Sequence, residues 1–413
     1  MCSNKLSSKI LFFIFSYINI FAQNYIPADP SYLLIHEKNQ FNDLLQIKSN
    51  NFRPLFFNTD SSSLSLTAKS EFYFNDNAPN QENMDVRYFS KGMGNFTSIQ
   101  VSFNSPYLSL ILEPYQINGF YHDVKTIKRS GTFSVLNDQT LGSNQLKENS
   151  GFRNLLAFIH YKGLGIGWHK GNRWWGPGIH SSLQMTNNTF PIPTQIIGTI
   201  QEIRYKSFGI YGLYSFSKLN DNSLELGKYH TALNGQITWY GPIILSVGFS
   251  RNYLSGGVLS TNDRVWMEKD AKLLVFEGFL TKNLIGKEYA VGGHDPWDQT
   301  LSGYLTLTLP KRNFKIYAEF GINDNRMFLA DLVSQPDHTL ATILGFRDYG
   351  VGPSKNWIYG FEWNNSMITY TSRFRGTTGT PAWYSKKIYE LKRLFSKAKS
   401  YDSSSKIIDL KME

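Results

Sequence analysis

Cysteine is all but absent: the 413-residue chain has one, Cys2. Without another thiol, the body of the protein cannot form an internal disulfide, a Cys-ligated zinc site or a cysteine nucleophile. Charge is sparse too, at 18% Asp, Glu, Lys and Arg against a usual value of about 25%. Beyond the N-terminus no apolar run approaches the roughly 18 residues of a membrane helix, which excludes a helical membrane protein. Self-similarity at periods of about 20–50 residues is missing, which argues against propellers and solenoids. Neither Gly-x-Ser-x-Gly nor His-Glu-x-x-His occurs, so the commonest hydrolase signatures are lacking.

Aromatic residues are abundant: 24 Tyr, 30 Phe and 9 Trp, 15% of the chain. So much aromatic surface excludes disorder as the main state, yet the mean hydropathy is −0.31. The formal net charge is +10. Two of those charges, Lys5 and Lys9, precede the apolar stretch Ile10–Phe21 and the small residue Ala22, the pattern of a cleaved secretory signal over residues 1–23. Another four belong to residues 385–413, with eight basic and four acidic side chains. The mildly basic remainder gives no reason to expect nucleic acid.

Between these ends the dominant period is two. Leu301, Leu305, Leu307 and Leu309 alternate with Ser302, Tyr304, Thr306 and Thr308. Phe314, Ile316, Ala318 and Phe320 alternate with Lys315, Tyr317 and Glu319, and Leu245, Val247 and Phe249 with Ser246, Gly248 and Ser250. Strands are also expected over Leu64–Phe74, Thr97–Phe103, Tyr107–Gln116, Arg153–Tyr161, Ile196–Tyr205, Ile210–Ser217, Asn234–Tyr240, Lys272–Leu280, Trp357–Trp363 and Ile368–Phe374. Strands this long, many ending in aromatics, exceed those of soluble sandwiches. They fit an all-β protein, a transmembrane antiparallel β-barrel of about 14–18 strands with apolar residues toward lipid and polar ones toward the lumen. Lys162-Gly163, Lys206-Ser207, Tyr240-Gly241-Pro242 and Pro310–Asn313 read as tight periplasmic turns. Asn75–Asn95, His122–Ser150, Asn252–Asp270 and Asn323–Leu340 read as outer loops. Leu33, Leu34, Phe41, Leu44 and Leu45 are spaced for a short helix, a small periplasmic element at the barrel mouth. The expected order is signal (1–23), periplasmic segment with a helix (24–60), barrel (61–376) and basic C-terminal tail (377–413).

The densest local signal is Arg173-Trp174-Trp175-Gly176-Pro177-Gly178, followed by Ser181-Ser182-Leu183, Asn187-Asn188 and Pro191-Ile192-Pro193. Tryptophan faces stack on sugar C–H surfaces, and Arg and Asn hydrogen-bond hydroxyls or acidic groups. The same tryptophans would also suit a membrane-interface girdle. This stretch resembles the signature of the Wzi capsule assembly family. Glu319, Asp324, Asp331, Gln335-Pro336-Asp337-His338 and Ile343-Leu344-Gly345-Phe346-Arg347 resemble a second part of it, with echoes at Phe52-Arg53-Pro54, Arg375-Gly376 and Trp383-Tyr384. The resemblance implies an outer-membrane barrel of about eighteen strands that holds capsular polysaccharide during capsule assembly. Carried over by position, Arg173, Trp174, Trp175, Asn187 and Asn188 are candidates for polysaccharide contact, and Glu319, Asp324, Asp337 and His338 for a lumen polar network. The chain departs from the family after Trp383-Tyr384. The basic tail lacks a terminal aromatic residue, so either the last strands are lost or the chain is truncated or frame-shifted, and barrel closure depends on which.

The expected role is therefore non-enzymatic: a lectin-like barrel in the outer membrane of a Gram-negative bacterium. Its partners would be capsular or other surface polysaccharide, outer-membrane lipid and the barrel-insertion machinery, with no cofactor and no metal. The alternative is a porin or substrate channel using the same lumen charges. A lipid hydrolase fits less well, because His230–Gly235 lacks the serine it would need. His294–Asp298 reads as a polar loop, and His169 and His180 lack metal-ligand spacing.

Overall fold

The computed structural model describes residues 25–42, 46–56, 62–75, 83–87, 92–121, 150–188, 191–219, 228–256, 267–277, 297–323, 340–351 and 357–365. The expected signal, the basic tail, the strand at Ile368–Phe374, and Asp324, Asp337 and His338 lie outside these residues. An N-terminal segment comprises β1 (Tyr25–Ile26), α1 (Pro30–Phe41), β2 (Phe52–Arg53) and β3 (Leu55–Phe56). The wall begins with β4 (Ser63–Asn75), β5 (Gly92–Asn104), β6 (Leu108–Tyr121), β7 (Ser150–Tyr161) and β8 (Leu164–Gly171). After the inner strand β9 (Trp174–Trp175) it resumes with β10 (Ile192–Thr199), β11 (Ile203–Tyr205), β12 (Phe208–Leu219), β13 (Lys228–Tyr240) and β14 (Ile244–Gly256). A helix, α2 (Glu268–Leu273), precedes β15 (Trp297–Leu309), β16 (Phe314–Asn323), β17 (Leu340–Val351) and β18 (Trp357–Asn365).

These strands form one 14-stranded antiparallel meander in chain order, with β9 left out and β10 and β11 both paired to β12. Among the described residues no ladder joins β4 to β18. The alternation reads as the sequence implies: Val247, Leu305, Ile316, Phe320 and Leu344 are exposed on the outer face, while Ser246, Ser302, Thr306, Lys315, Glu319 and Arg347 are buried on the inner one. This inverts the distribution of a soluble sheet. Only a hydrocarbon surround makes an apolar outer band favourable, because it leaves water no access to that face. Exposed aromatics collect near both strand ends. Tyr107, Tyr161, Tyr205 and Trp239 sit by the tight turns, and Phe72, Phe74, Phe152 and Trp363 by the long connections. They mark the two membrane interfaces.

Three expectations need correction. The described part of the strand expected over Lys272–Leu280 is helical, since α2 passes into a 3-10 turn at Leu274–Phe276. Ala271, Leu274 and Val275 pack on Phe216, Tyr229 and Tyr253 inside the wall, and Lys272 pairs with Glu268 one turn earlier at 2.6 Å. Consecutive apolar residues carry no period, so their partners decided the outcome. The strand expected over Ile196–Tyr205 breaks between Thr199 and Ile203, where buried Glu202 turns inward to accept Gln236 Nε2 at 3.0 Å and Thr238 Oγ1 at 2.5 Å. Helix α1 starts with Pro30 at its first position, as helices often do. Of the expected apolar spacing, Leu33 is buried and Leu34 and Phe41 are half-buried, while His36, Glu37 and Gln40 make up the rest of the buried face; Leu44 and Leu45 lie outside the described residues.

The outer face supplies a direct test. Leu305→Arg puts a cation on the lipid side of β15 and is expected to cost about 2–4 kcal/mol, whereas Ser302→Ala on the lumen side costs less than about 1 kcal/mol. Equilibrium urea unfolding in phospholipid vesicles measures both.

Candidate functional site

Two chain segments lie on the inner face of the wall. The first is residues 25–42 and 46–56, which follow the expected signal, and the second is residues 172–188, from the connection between β8 and β10 that carries the tandem tryptophans. They meet in a two-residue ladder pairing Phe52 with Trp175 and Arg53 with Trp174. Around it Phe52 stacks on Tyr211 at 4.8 Å between ring centroids and meets Tyr304 edge-on. Trp175, Met185, Tyr25, Leu55 and Phe56 join residues from β6, β7, β10, β12, β13 and β15 in one buried cluster. An aromatic core thus packs against the inner face of the wall.

The tryptophan connection is held almost residue by residue. Trp175 N–H donates to Met185 O at 3.1 Å and Gly176 N–H to Asn51 O at 2.8 Å. Pro177 O accepts Arg347 Nη1 at 2.9 Å, and Gly178 O accepts Arg53 Nη2 at 3.1 Å. The N–H groups of Ile179, His180 and Ser181 converge on the Glu362 carboxylate of β18 at 2.9, 3.2 and 2.8 Å. Leu183 N–H reaches Glu319 at 3.3 Å, and Gln184 accepts from Thr300 at 2.8 Å and from Asn252. At its far end Asn187 O accepts Asp85 N–H at 2.9 Å, and Asn188 Oδ1 accepts Asn83 N–H at 2.7 Å. One connection therefore touches the segment after β4 and strands β14 to β18.

Two charged networks fix the N-terminal segment. Glu37 of α1 pairs with Lys315 at 2.8 Å and Arg347 at 2.9 Å and accepts the Tyr349 hydroxyl. Burial alone would raise this carboxyl, but the two cations hold it far below the usual carboxylate range. On the opposite side Asp29 meets Arg153 at 2.7 Å, Arg87 at 3.2 Å and Lys69 at 3.6 Å. Burial again opposes and the cations prevail, holding Asp29 low. Asp85, Glu113 and Glu71 complete that group.

Tyr–Gly pairs extend the polar contacts across the wall. Tyr317 of β16 faces Gly345 of β17, which faces Glu362 of β18, and the Tyr317 hydroxyl crosses the glycine to donate to Glu362 at 2.7 Å. Tyr304, Gly248 and Gln236 repeat the device on β15, β14 and β13 at 2.6 Å. A Cβ on either glycine would lie about 2.2–2.4 Å from the tyrosine, so neither position admits a side chain without displacing the ring.

Of the polysaccharide candidates, Arg173, Trp174, Trp175 and Asn187 are buried and Asn188 is half-buried. Neither tryptophan faces solvent or lipid: Trp174 lies under the Arg53 guanidinium, 5.3 Å from its ring centroid, and Trp175 stacks near His230. Glu319 is fully buried. A Cβ on Gly176 would lie 2.6 Å from its Oε2, so the two stretches of the sequence resemblance converge. Asp29, Glu37, Arg53, Arg87, Arg153 and Glu362 were not singled out as site residues. A signal existed for Arg53, in the Phe52-Arg53-Pro54 echo, and for the wall groups Lys315, Glu319 and Arg347, which occupy the polar phase of alternating strands.

No family model matches the chain, and no curated protein matches it. Among solved structures it is similar to Wzi, an outer membrane protein involved in group 1 capsule assembly in Escherichia coli and a carbohydrate-binding β-barrel. The identity is 13% and the TM-score 0.40, with 80% of this chain and 61% of that chain covered. It is also similar to OmpF of Salmonella typhi in complex with daunomycin (9% identity, TM-score 0.30, 76% and 93% covered). A third similarity is to a loop L8 deletion mutant of OmpT, an outer membrane protein of Vibrio cholerae (8% identity, TM-score 0.26, 74% and 95% covered). The chain thus spans about three-fifths of the Wzi structure's length. Its own inverted faces and aromatic belts decide the class. It is a β-barrel protein of the outer-membrane type.

Two outcomes follow from the inner segments. Trp175→Ala removes a fully enclosed ring and is expected to cost about 3–5 kcal/mol, read by denaturant unfolding. Because folding lowers the Glu37 pKa, its stabilisation is complete above the unfolded value of 4.5 and lost as pH falls below it. Glu37→Gln should lose about 3–5 kcal/mol at pH 7 and show a shallower loss of stability below pH 4.5. Urea midpoints across pH 3–7 measure both.

Proposed function

We propose that this protein is a filled, non-conducting outer-membrane barrel that binds surface polysaccharide and supports capsule attachment or assembly, without catalytic activity. The observation that carries the reading against a porin is the filled lumen. Residues 25–42, 46–56 and 172–188 occupy the inner face with an aromatic core and tie it to strands on both sides. The link to polysaccharide rests on the Arg173–Pro193 motif and its resemblance to the capsule assembly family.

The tryptophans act in this reading as the anchor of the loop and not as its sugar platform. The surface the anchored loop offers is polar: His180 is exposed, and Asn83, Ser181, Asn188 and Asn364 lie around it, joined by Asn83 Nδ2–His180 O at 2.9 Å and Asn364 Nδ2–Ser181 Oγ at 3.1 Å. It lies at the end of the long connections, which in this class of barrel faces the cell exterior. Amides and hydroxyls held in place suit sugar hydroxyls, and many weak contacts along a repeating polymer sum to useful avidity.

Planar-bilayer recording of the purified protein should show no large steady conductance; an open-channel step would favour the porin. On cells, His180→Ala with Asn188→Ala should lower retained polysaccharide severalfold at unchanged barrel level. Trp174→Ala with Trp175→Ala should lower the amount of folded barrel itself. Unaltered retention in the His180/Asn188 variant would refute this surface as the binding face.

A further inference from the structure

The tight-turn end of the barrel presents exposed positive charge. Lys162 in the β7–β8 turn, Arg204 and Lys206 at the β11–β12 turn, and Lys311 and Arg312 in the 3-10 turn Pro310–Arg312 are all exposed. Among the described residues none of the five has a carboxylate within ion-pair distance. The carboxylates at this end are engaged elsewhere. Glu37 and Glu202 are buried and bonded, and half-buried Asp348 accepts Gly350 N–H at 2.8 Å.

Two of these cations sit where lysine is conformationally disfavoured. Tyr161 pairs with Leu164 and Tyr205 with Phe208, so each hairpin turns on two residues, Lys162-Gly163 and Lys206-Ser207. Both lysines have a left-handed backbone, with φ of 51° and 54°, which glycine and asparagine adopt at less cost. Each follows a tyrosine exposed on the lipid face. Its ammonium lies beside that ring, 5.7 Å from the Tyr161 centroid and 5.4 Å from the Tyr205 centroid. The two charges are therefore directed outward over the aromatic belt, at the depth of the lipid headgroups, and not into the lumen. A disfavoured backbone kept twice, with the same Tyr-Lys pair, answers to something that contacts within the fold do not supply.

We propose that these turns form a basic collar that binds acidic phospholipid headgroups of the periplasmic leaflet. Tight turns face the periplasm in this class of barrel, and each cation held at an anionic lipid surface adds to the attraction. Lys162 and Lys206 meet headgroup phosphates at the outer edge, where the hydroxyls of Tyr161 and Tyr205 are placed to donate to the same oxygens. Lys311 and Arg312 extend the collar to the β15–β16 side of the wall. The collar sets how deeply the barrel is seated in the membrane. It is independent of the polysaccharide reading, since it lies at the opposite end of the barrel from His180 and Asn188.

The test uses the full chain in phosphatidylcholine vesicles, with spin-labelled phosphatidylglycerol or phosphatidylcholine as the probe. Electron spin resonance reads the fraction of each probe immobilised at the protein surface. Phosphatidylglycerol should be preferred about fivefold, as one cation per headgroup implies, and the preference should shrink as salt is raised. Lys162→Asn with Lys206→Asn should lose most of that preference. The same variant should unfold at no lower urea concentration in phosphatidylcholine, because asparagine accepts the left-handed backbone. Lys162→Arg with Lys206→Arg should keep the preference. If the asparagine variant fails to insert, Lys311→Gln with Arg312→Gln should show the reduced preference in its place. No preference in the unaltered protein, a preference indifferent to salt, or one unchanged by the substitutions would each overturn the proposal. So would cosedimentation with peptidoglycan that the asparagine variant loses, found without any lipid preference.

Discussion

A strand in a bilayer has one face for polar groups, and everything polar that the chain carries must be resolved there. Lipid accepts Val247, Leu305 and Ile316 and refuses Ser302, Glu319 and Arg347. Fourteen strands therefore deliver their hydroxyls, amides and charges into one interior. Water alone would leave such an interior an open, hydrated tube. Here the chain fills much of it, and its filler is built to match, apolar where Phe52, Trp175, Tyr211 and Tyr304 meet and charged where Asp29 and Glu37 enter.

Position explains why the charges sit where they do. Lys315 and Arg347 oppose one another across the β16–β17 ladder and would repel if left alone. Glu37, carried in by α1, answers both. On the other side Arg87 and Arg153 converge on Asp29 and Asp85. Glu37 and Asp29 are held ionised by cations that themselves need them, so removing one member leaves an uncompensated charge where desolvation is expensive. The N-terminal segment is in this sense a counter-ion for the wall, fixed at Asp29 on one side and Glu37 on the other.

The wall was legible in the sequence because lipid enforces strict alternation, and β15 and β16 show it without interruption. Long loops and tight turns separated well for the same reason. The filler was not legible. Its residues answer to three-dimensional partners and to no period: α1 buries Glu37 and Gln40 while Ile35 stays exposed, and Leu273–Phe276 turns helical where its composition reads as strand. The Arg-Trp-Trp-Gly-Pro-Gly run stood out, yet its chemistry allowed a sugar platform, a girdle or a brace. The choice among them needed Phe52 and Arg53, about 120 positions earlier, which pair with it. Only Phe52-Arg53-Pro54, noted as an echo, pointed to that partner.

Burying the tryptophans changes what the motif can contribute. A ring stacked under Arg53 cannot also stack on a sugar, so in the proposed reading the polymer meets the backbone-fixed rim formed by Asn83, His180, Ser181 and Asn188. That rim is stiff for an identifiable reason: three successive N–H groups are bound by Glu362, and the chain on either side is tied to Arg347 and Glu319. A loop already ordered loses little conformational entropy when it engages a ligand, so weak polar contacts retain more of their free energy. The same ordering carries a cost, two arginines buried beneath the loop with their guanidinium groups pushed below the usual value by desolvation. Rigidity at the rim and desolvated cations below it are thus consequences of one packing arrangement, the seating of Trp174 and Trp175 against β2.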